Sequence, residues 1–398
     1  MTHAVPVVEP RPSSVTDGPS PLRLGEVPTP SLVLDRSVLA ANLARMAARA
    51  ATLGVKLRPH LKTSKSATVA ALAAEGPVVG FTVSTLKEAE YFHAQGHREL
   101  FYAVTIEPGK FARAARLLKS GANLLLACDD PAVARQLAVA GQTLDVVFPV
   151  LIEIDCGEHR SGLAPDDVRV VEIARLLAVG QGVHLAGVCT HGGHSYAGRT
   201  PAEHRAVAEI ERVAAVTAAE AIRATGLECP IVSVGSSPTA VFAENLQGVT
   251  ELRCGVYMFG DLFQAGIGMC GIDDLAVSVV TAVIGHRPDR NTLLVDAGGL
   301  ALSKDLSTQK LPSARQAGFG WVGALDGGLI SGFAVTSVHQ EHGQITAPEP
   351  IDFSRYPIGS RLRVWPNHVC MTAAAYEEYQ VVAGSDEVEA QWHRVNGW

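Results

Sequence analysis

Arg58-Pro59-His60-Leu61-Lys62-Thr63-Ser64-Lys65 follows directly on a short apolar run, Leu53–Leu57, and the two together read as a strand (Val55–Arg58) delivering a polar turn. A lysine just past a strand end, set among other cationic or ionisable groups, is placed to have its pKa lowered. Neighbouring positive charge and partial burial both disfavour the ammonium, and a neutral amine can condense with an aldehyde as a Schiff base. A basic surface loop is the competing reading. The rest of the chain decides between them.

Working outward, the same strand-and-turn unit recurs. Apolar runs at Val79–Val83, Leu100–Val104, Asn123–Ala127, Val146–Ile154, Leu185–Thr190, Pro230–Val234 and Val249–Arg253 read as strands. Alanine-rich helical stretches separate most of them, at Lys87–Gln95, Lys110–Lys119, Pro131–Ala140, Pro165–Ala178 and Pro201–Ala224. With Val55–Arg58 that makes eight strands. The alternation predicts an α/β fold with a parallel sheet, and the count predicts a closed (β/α)8 TIM-like barrel. An open doubly wound sheet is the alternative, but the first strand-to-helix turn lacks the G-x-G-x-x-G fingerprint expected there. Upstream, Ser31–Leu34 reads as a further strand that can belong to either half of the molecule. Asp35 or Ser37 then caps a helix with apolar positions Val38, Leu39, Leu43 and Met46.

After about Asp273 the texture changes. Val277–Ile284, Thr292–Val295, Phe333–Val338, Gln344–Ala347, Arg361–Val364 and Tyr379–Val382 are short β-rich runs divided by Gly, Pro and Asp turns, which predicts a smaller all-β domain. The expected organisation is a flexible leader at 1–25, a barrel at 26–272 and a β domain at 273–398. Pro and Ser enrich the leader, which lacks the apolar core of a signal peptide.

The 398 residues carry a formal net charge of −7 with no basic block, so nothing points to nucleic acid or an anionic membrane surface. No apolar run reaches the roughly 18 residues that a spanning helix needs. Seven scattered cysteines, an odd number without a secretion signal, point to reduced thiols in a cytoplasm.

Functional groups of such a barrel project from the C-terminal strand ends. After the first strand stands Lys62; after the fifth, Glu153 to Gly162 with Arg160; after the sixth, Thr190-His191-Gly192-Gly193. Gly235, Ser236 and Ser237 follow the seventh strand, and Arg253-Cys254-Gly255-Val256-Tyr257 the eighth. The small residues of these last two turns let backbone N–H groups converge on an anion, which suits a phosphate cup. An ordinary helix N-cap at Ser236 or Ser237 is the plainer reading. Arg160 and Arg253 can hydrogen-bond a ring oxygen or nitrogen, and His191 can stack on an aromatic ring; singly, each arginine reads more simply as a structural ion pair and the histidine as a satisfied core or surface residue. A lysine, a phosphate cup and ring-directed groups together point to Lys62 carrying pyridoxal phosphate.

In the second domain Pro366-Asn367-His368-Val369-Cys370 follows the strand Arg361–Val364. Residues i and i+2 of an extended segment share a side, so His368 and Cys370 can present imidazole and thiolate to one cation, which suits Zn²⁺. An H-x-C triplet also occurs commonly by chance, and two ligands do not complete a site. With water, substrate or a distant residue in the remaining positions, it has the open coordination that a catalytic metal requires.

With these motifs in place, the chain from about Thr29 onward resembles the D-serine dehydratase-like and D-threonine aldolase-like enzymes, fold-type III pyridoxal phosphate proteins related to alanine racemase. The segment Arg58–Lys65 corresponds to that family's R-P-H-x-K-T-x-K, with Ser64 where a histidine is usual. Asp155–Gly162 corresponds to D-x-G-x-x-R-x-G, and Asp296-Ala297-Gly298 and Glu341-His342-Gly343 continue the match. Cys254-Gly255-Val256-Tyr257 stands where the family commonly has Pro-Gly-Asn-Tyr.

The resemblance implies Lys62 as the Schiff-base lysine, Arg160 near the phenolic oxygen and His191 against the ring. It implies Gly235, Ser236, Gly255, Val256 and Tyr257 at the phosphate. It also implies a homodimer and a small-molecule D-amino acid substrate. His-x-Cys is similar to the dehydratase branch, where it holds zinc; the aldolase branch has His-x-Asp around a harder divalent ion. The expected activity is therefore dehydration of a D-β-hydroxy amino acid such as D-serine, D-threonine or D-threo-3-hydroxyaspartate to a 2-oxo acid and ammonia. An aldolase giving glycine and an aldehyde is the alternative, with a racemase or a non-catalytic cofactor-binding protein behind it.

Overall fold

The computed structural model describes residues 22–398. Residues 1–21 of the expected leader lie outside the described residues, and its last four are held in place. Leu24 is fully buried with Val27, Val33, Val280 and Val382, and Val388 N donates to Leu22 O. The apolar Leu24 gains more from this small core than a free leader would leave it.

Strand β1 (Ser31–Asp35) comes first in the chain, followed by the helix Arg36–Thr52. Of the two caps expected for this helix, Asp35 is the one used: its carboxylate accepts from Ser37 N and Val38 N, a contact worth about 1 kcal/mol. Leu39, Asn42, Met46 and Ala50 form its buried stripe. The eight barrel strands follow: β2 (Lys56–Leu57), β3 (Phe81–Val83), β4 (Glu99–Thr105), β5 (Asn123–Cys128), β6 (Phe148–Ile154), β7 (Val183–Thr190), β8 (Ile231–Val234) and β9 (Glu251–Leu252). All pair in parallel in the order β2-β9-β8-β7-β6-β5-β4-β3. Parallel bridges Leu57↔Val78 and His60↔Thr82 join the two ends, which closes the ring. Apart from Pro149, β6 is buried throughout, as expected of a strand covered on both faces.

The second sheet holds β10 (Val277–Arg287), β11 (Thr292–Val295), β12 (Trp321–Gly323), β13 (Leu329–Val338), β14 (Gly343–Thr346), β15 (Arg361–Trp365), β16 (Glu378–Val382) and β17 (Ala390–His393). Its ninth member is β1, which pairs antiparallel with β10 and parallel with β16. Chain order groups Ser31–Leu34 with the barrel; hydrogen bonding places it in the other sheet. Its Leu32, Val33 and Leu34 are buried there. No helix among the described residues is long and apolar enough to cross a membrane.

Candidate active site

A cavity of about 750 Å³ opens at the C-terminal ends of the barrel strands and reaches residues of the second domain. Lys62, Arg160, His191, Gly235 and Ser236 line it, as do Arg253, Gly255, Val256, His368 and Cys370. Of the cofactor and metal residues expected from sequence, Tyr257 alone is not in the cavity lining: it is buried, and its N–H donates to Ser237 Oγ at 3.3 Å.

The octapeptide is not a basic surface loop. Arg58 is buried and ion-pairs Glu251 at 2.9 Å, and Lys65 reaches the buried Glu88 at 3.2 Å. Lys62 has no carboxylate at ion-pair distance among the described residues, and its side chain is exposed within the cavity mouth rather than partly buried. Its backbone N–H donates to His60 Nδ1 at 3.3 Å, leaving Nε2 facing Ser84 Oγ at 3.4 Å. Burial, with the nearby charges of Lys62 and Arg253, pushes the His60 pKa well below its ordinary value, so this imidazole is neutral.

Two turns across the barrel are tied together beneath the cavity. The buried carboxylate of Glu211, from the helix Pro201–Arg223, accepts from Gly192 N at 2.5 Å and Gly235 N at 3.0 Å. His191 Nδ1 donates to Gly235 O at 2.7 Å. Burial first, then Lys62, lowers the His191 pKa to about 3, so the ring stays neutral with Nε2 unprotonated. Gly235 is required by its backbone: its φ is +137°, and a Cβ there would strike the Arg253 carbonyl. Ser236 caps the short helix Ser237–Phe242 and exchanges hydrogen bonds with Thr239 and Ser195, so the plain N-cap reading holds as well.

These turns fit a phosphate. The N–H groups of Gly255 and Val256 have no protein acceptor among the described residues. The buried Tyr257 Oη has no partner there either. Two unpaired N–H donors in the cavity wall, with an unpaired hydroxyl directly behind them and a lysine amine lining the same cavity, meet the needs of pyridoxal phosphate. Arg253 is buried, donating to Ser233 Oγ at 2.5 Å and Thr190 O at 2.7 Å, with its guanidinium 5.2 Å from the Phe101 ring centroid. Arg160 is more exposed, 3.6 Å from Glu158.

His368 and Cys370 enter from the second domain, though not by the geometry their spacing suggests. The strand ends at Trp365; His368 is an extended N-cap, and Cys370 lies in the short helix Val369–Ala373. Asp261 Oδ2 draws in Val369 N at 3.1 Å, which turns the chain into that helix. The two side chains still meet. Burial raises the Cys370 thiol, but the hydrogen bond and charge of His368, then Thr63 and Lys62, outweigh it and lower the pKa. Burial opposes the His368 imidazolium, while Asp305 and then Cys370 hold its proton, raising the pKa to about 11. Asp305 Oδ2 lies 3.2 Å from His368 Nδ1, so the other ring nitrogen, Nε2, would give up its proton to bind a cation beside Cys370. No cluster of three or more His, Cys, Asp or Glu suited to a metal occurs among the described residues. An imidazole and a low-pKa thiol fit a borderline-soft divalent ion with its remaining positions open.

Asp261, Gln264, Glu211 and Asp305 were not found from sequence. Asp261 and Gln264 sit on the short helix Leu262–Gly266 and its cap, which carries no motif; only docking against Pro366–Asn367 brings them to the cavity.

An eight-stranded parallel barrel with a free lysine beyond its first strand, joined to an antiparallel domain, defines the alanine racemase-like class of fold-type III pyridoxal phosphate enzymes. Residues 34–262 match the family described as alanine racemase, N-terminal domain, and residues 276–382 match a serine dehydratase domain. The chain belongs to the D-serine dehydratase-like and D-threonine aldolase-like family within that class. It is 44% identical to the D-threo-3-hydroxyaspartate dehydratase of Delftia sp. (strain HT23), covering 93% of this chain and 98% of that one. A structure of a cysteine-to-alanine mutant of that dehydratase, in the metal-free form, superposes with a TM-score of 0.91 over 94% of this chain and all of the other. The D-serine dehydratase of Dictyostelium discoideum is 32% identical, over 90% of this chain and 94% of its own. A 3-hydroxy-D-aspartate aldolase of Paracoccus denitrificans is more distant, at 28% over 92% and 91%.

Proposed function

We propose that this protein is a pyridoxal phosphate- and zinc-dependent dehydratase of D-β-hydroxy amino acids, releasing a 2-oxo acid and ammonia. One contact carries the reading: Cys370 Sγ lies 3.2 Å from the hydroxyl of Thr63, the residue after Lys62, so the thiol–imidazole pair stands beside the lysine. The relation to the Delftia dehydratase supports D-threo-3-hydroxyaspartate as a substrate, and its metal-free mutant form supports a metal requirement.

When bound, pyridoxal phosphate supplies an electron sink for negative charge at Cα, and a divalent ion such as Zn²⁺ supplies a Lewis acid for the departing hydroxide. Lys62 would hold the cofactor and its amine would take the α-proton. Gly255 N–H, Val256 N–H and Tyr257 Oη would bind the phosphate, while Gly235 and Ser236 shape the adjoining turn. The neutral His191 ring would stack on the cofactor ring, and Arg253 and Arg160 would supply hydrogen bonds to its nitrogen and phenolic oxygen. His368 and Cys370 would hold the metal, oriented by Asp305. A cytoplasmic homodimer belongs to the same reading; seven cysteines free of disulfides agree with a reducing compartment.

Product analysis on the zinc-loaded protein with D-serine, D-threonine and D-threo-3-hydroxyaspartate tests the proposal. Ammonia and a 2-oxo acid, lost on chelation and restored by Zn²⁺, are expected. Glycine plus an aldehyde would make the protein an aldolase and overturn the reading of Cys370.

A further inference from the structure

Resting on that proposed function, we infer that Gln264 is the residue that selects a carboxylate on the substrate's β-carbon. The Gln264 side chain lines the cavity but is only 4% exposed. Its carboxamide makes no side-chain hydrogen bond among the described residues: Oε1 is buried without a partner, and Nε2, the donor that an anion requires, has no protein acceptor. A buried amide left unpaired costs stability, whereas the backbone around it is fully used. Gln264 N donates to Asp261 Oδ1 at 2.8 Å, and Gln264 O accepts from Met269 N at 3.0 Å. The segment is rigidly held while the amide faces the cavity free.

Its position identifies what it would meet. Leu262 N and Phe263 N donate to Pro366 O and Asn367 O, at 3.1 and 3.3 Å, so this helix is hydrogen-bonded to the strand of chain that leads into His368. Asp261 reinforces the junction through Val369 N. Gln264 therefore belongs to the wall that bears the thiol–imidazole pair. A β-hydroxyl directed at that pair brings Cβ close to this wall, so that its other substituent comes within reach of Gln264. That substituent is hydrogen in D-serine, methyl in D-threonine and carboxylate in 3-hydroxyaspartate. A carboxamide N–H pairs with the carboxylate and with neither of the others. The nearby Phe263 ring, also in the lining, excludes water and strengthens the bond.

The experiment compares kcat/KM for the three substrates in the holoenzyme and in Gln264→Leu and Gln264→Glu. The wild type is expected to favour 3-hydroxyaspartate, and Gln264→Leu to lower its ratio to D-serine roughly ten- to hundredfold. Gln264→Glu, of the same shape but anionic, should lower the ratio at least as far. A binding readout that needs no turnover accompanies it: calorimetric affinities of tartrate and glycerate, in which hydroxyl replaces the amine. The wild-type preference for tartrate should shrink in both variants. An equal loss on all three substrates would make Gln264 a partner of the α-carboxylate and overturn the inference, as would a wild type that favours D-serine. Absence of ammonia from every substrate with wild-type protein would instead overturn the dehydratase reading.

Discussion

At the scale of single residues, Lys62 is distinguished by what its neighbours do. Arg58 and Lys65 each have a carboxylate; Lys62 has a cavity. Lys62→Ala is expected to abolish the visible absorbance of bound pyridoxal phosphate and to lower turnover by on the order of 10³-fold; turnover within tenfold of wild type would contradict its role. On the proposed metal site, His368→Ala and Cys370→Ala should each retain that absorbance while losing the bound divalent metal, measured by elemental analysis after loading with Zn²⁺, together with dehydration. Equal zinc content in the variants would remove both as ligands. That the lysine and the His-x-Cys pair line one cavity was legible because each stands in a short motif just past a strand. Glu211 was not, since a glutamate midway along an amphipathic helix gives no sign that two distant glycine N–H groups converge on it.

Elements show where local patterning is sufficient. Alternating apolar runs and alanine-rich helices located all eight barrel strands, because a strand covered on both faces must be apolar throughout. In the second sheet β12 and β17 went unseen. Trp321-Val322-Gly323 is too short to display a period, and Ala390-Gln391-Trp392-His393 is an edge strand with polar residues on its open side. His368 and Cys370 were brought together for the wrong local reason, since the extended segment turns helical between them.

Two predictions belong at this scale. Gly235→Ala forces a β-carbon into the Arg253 carbonyl at a positive φ, costing about 1–3 kcal/mol; thermal denaturation should show the loss, and titration with the cofactor should show weaker binding. Arg58→Met breaks the buried pair joining β2 to β9 and is expected to cost about 3–5 kcal/mol, of which the double variant Arg58→Met/Glu251→Leu recovers most. Denaturant unfolding that shows no recovery would assign the cost to packing.

At the scale of the whole molecule, burial of neutral imidazoles makes stability depend on acid. His191 has a folded-state pKa of about 3, below its unfolded value near 6.5. Between those values the unfolded chain binds the extra proton, so stability is fully present above about pH 6.5 and is lost as pH falls toward 3. His60 acts in the same direction, while Glu211, whose carboxyl is raised by burial, opposes it. The melting temperature of the wild type should fall from pH 7 to pH 4, and less steeply in His191→Gln. Parallel curves would show that the ring titrates normally.

The place of β1 bears on how such a chain is made. Its partners β10 and β16 emerge from the ribosome only after every barrel strand has been synthesised. The barrel is complete, in order of translation, while the strand that precedes it still has nothing to pair with. A nascent chain halted just after β9 should therefore resist protease across residues 56–252 and remain open to cleavage at Ser31–Asp35, which gains its protection last of all.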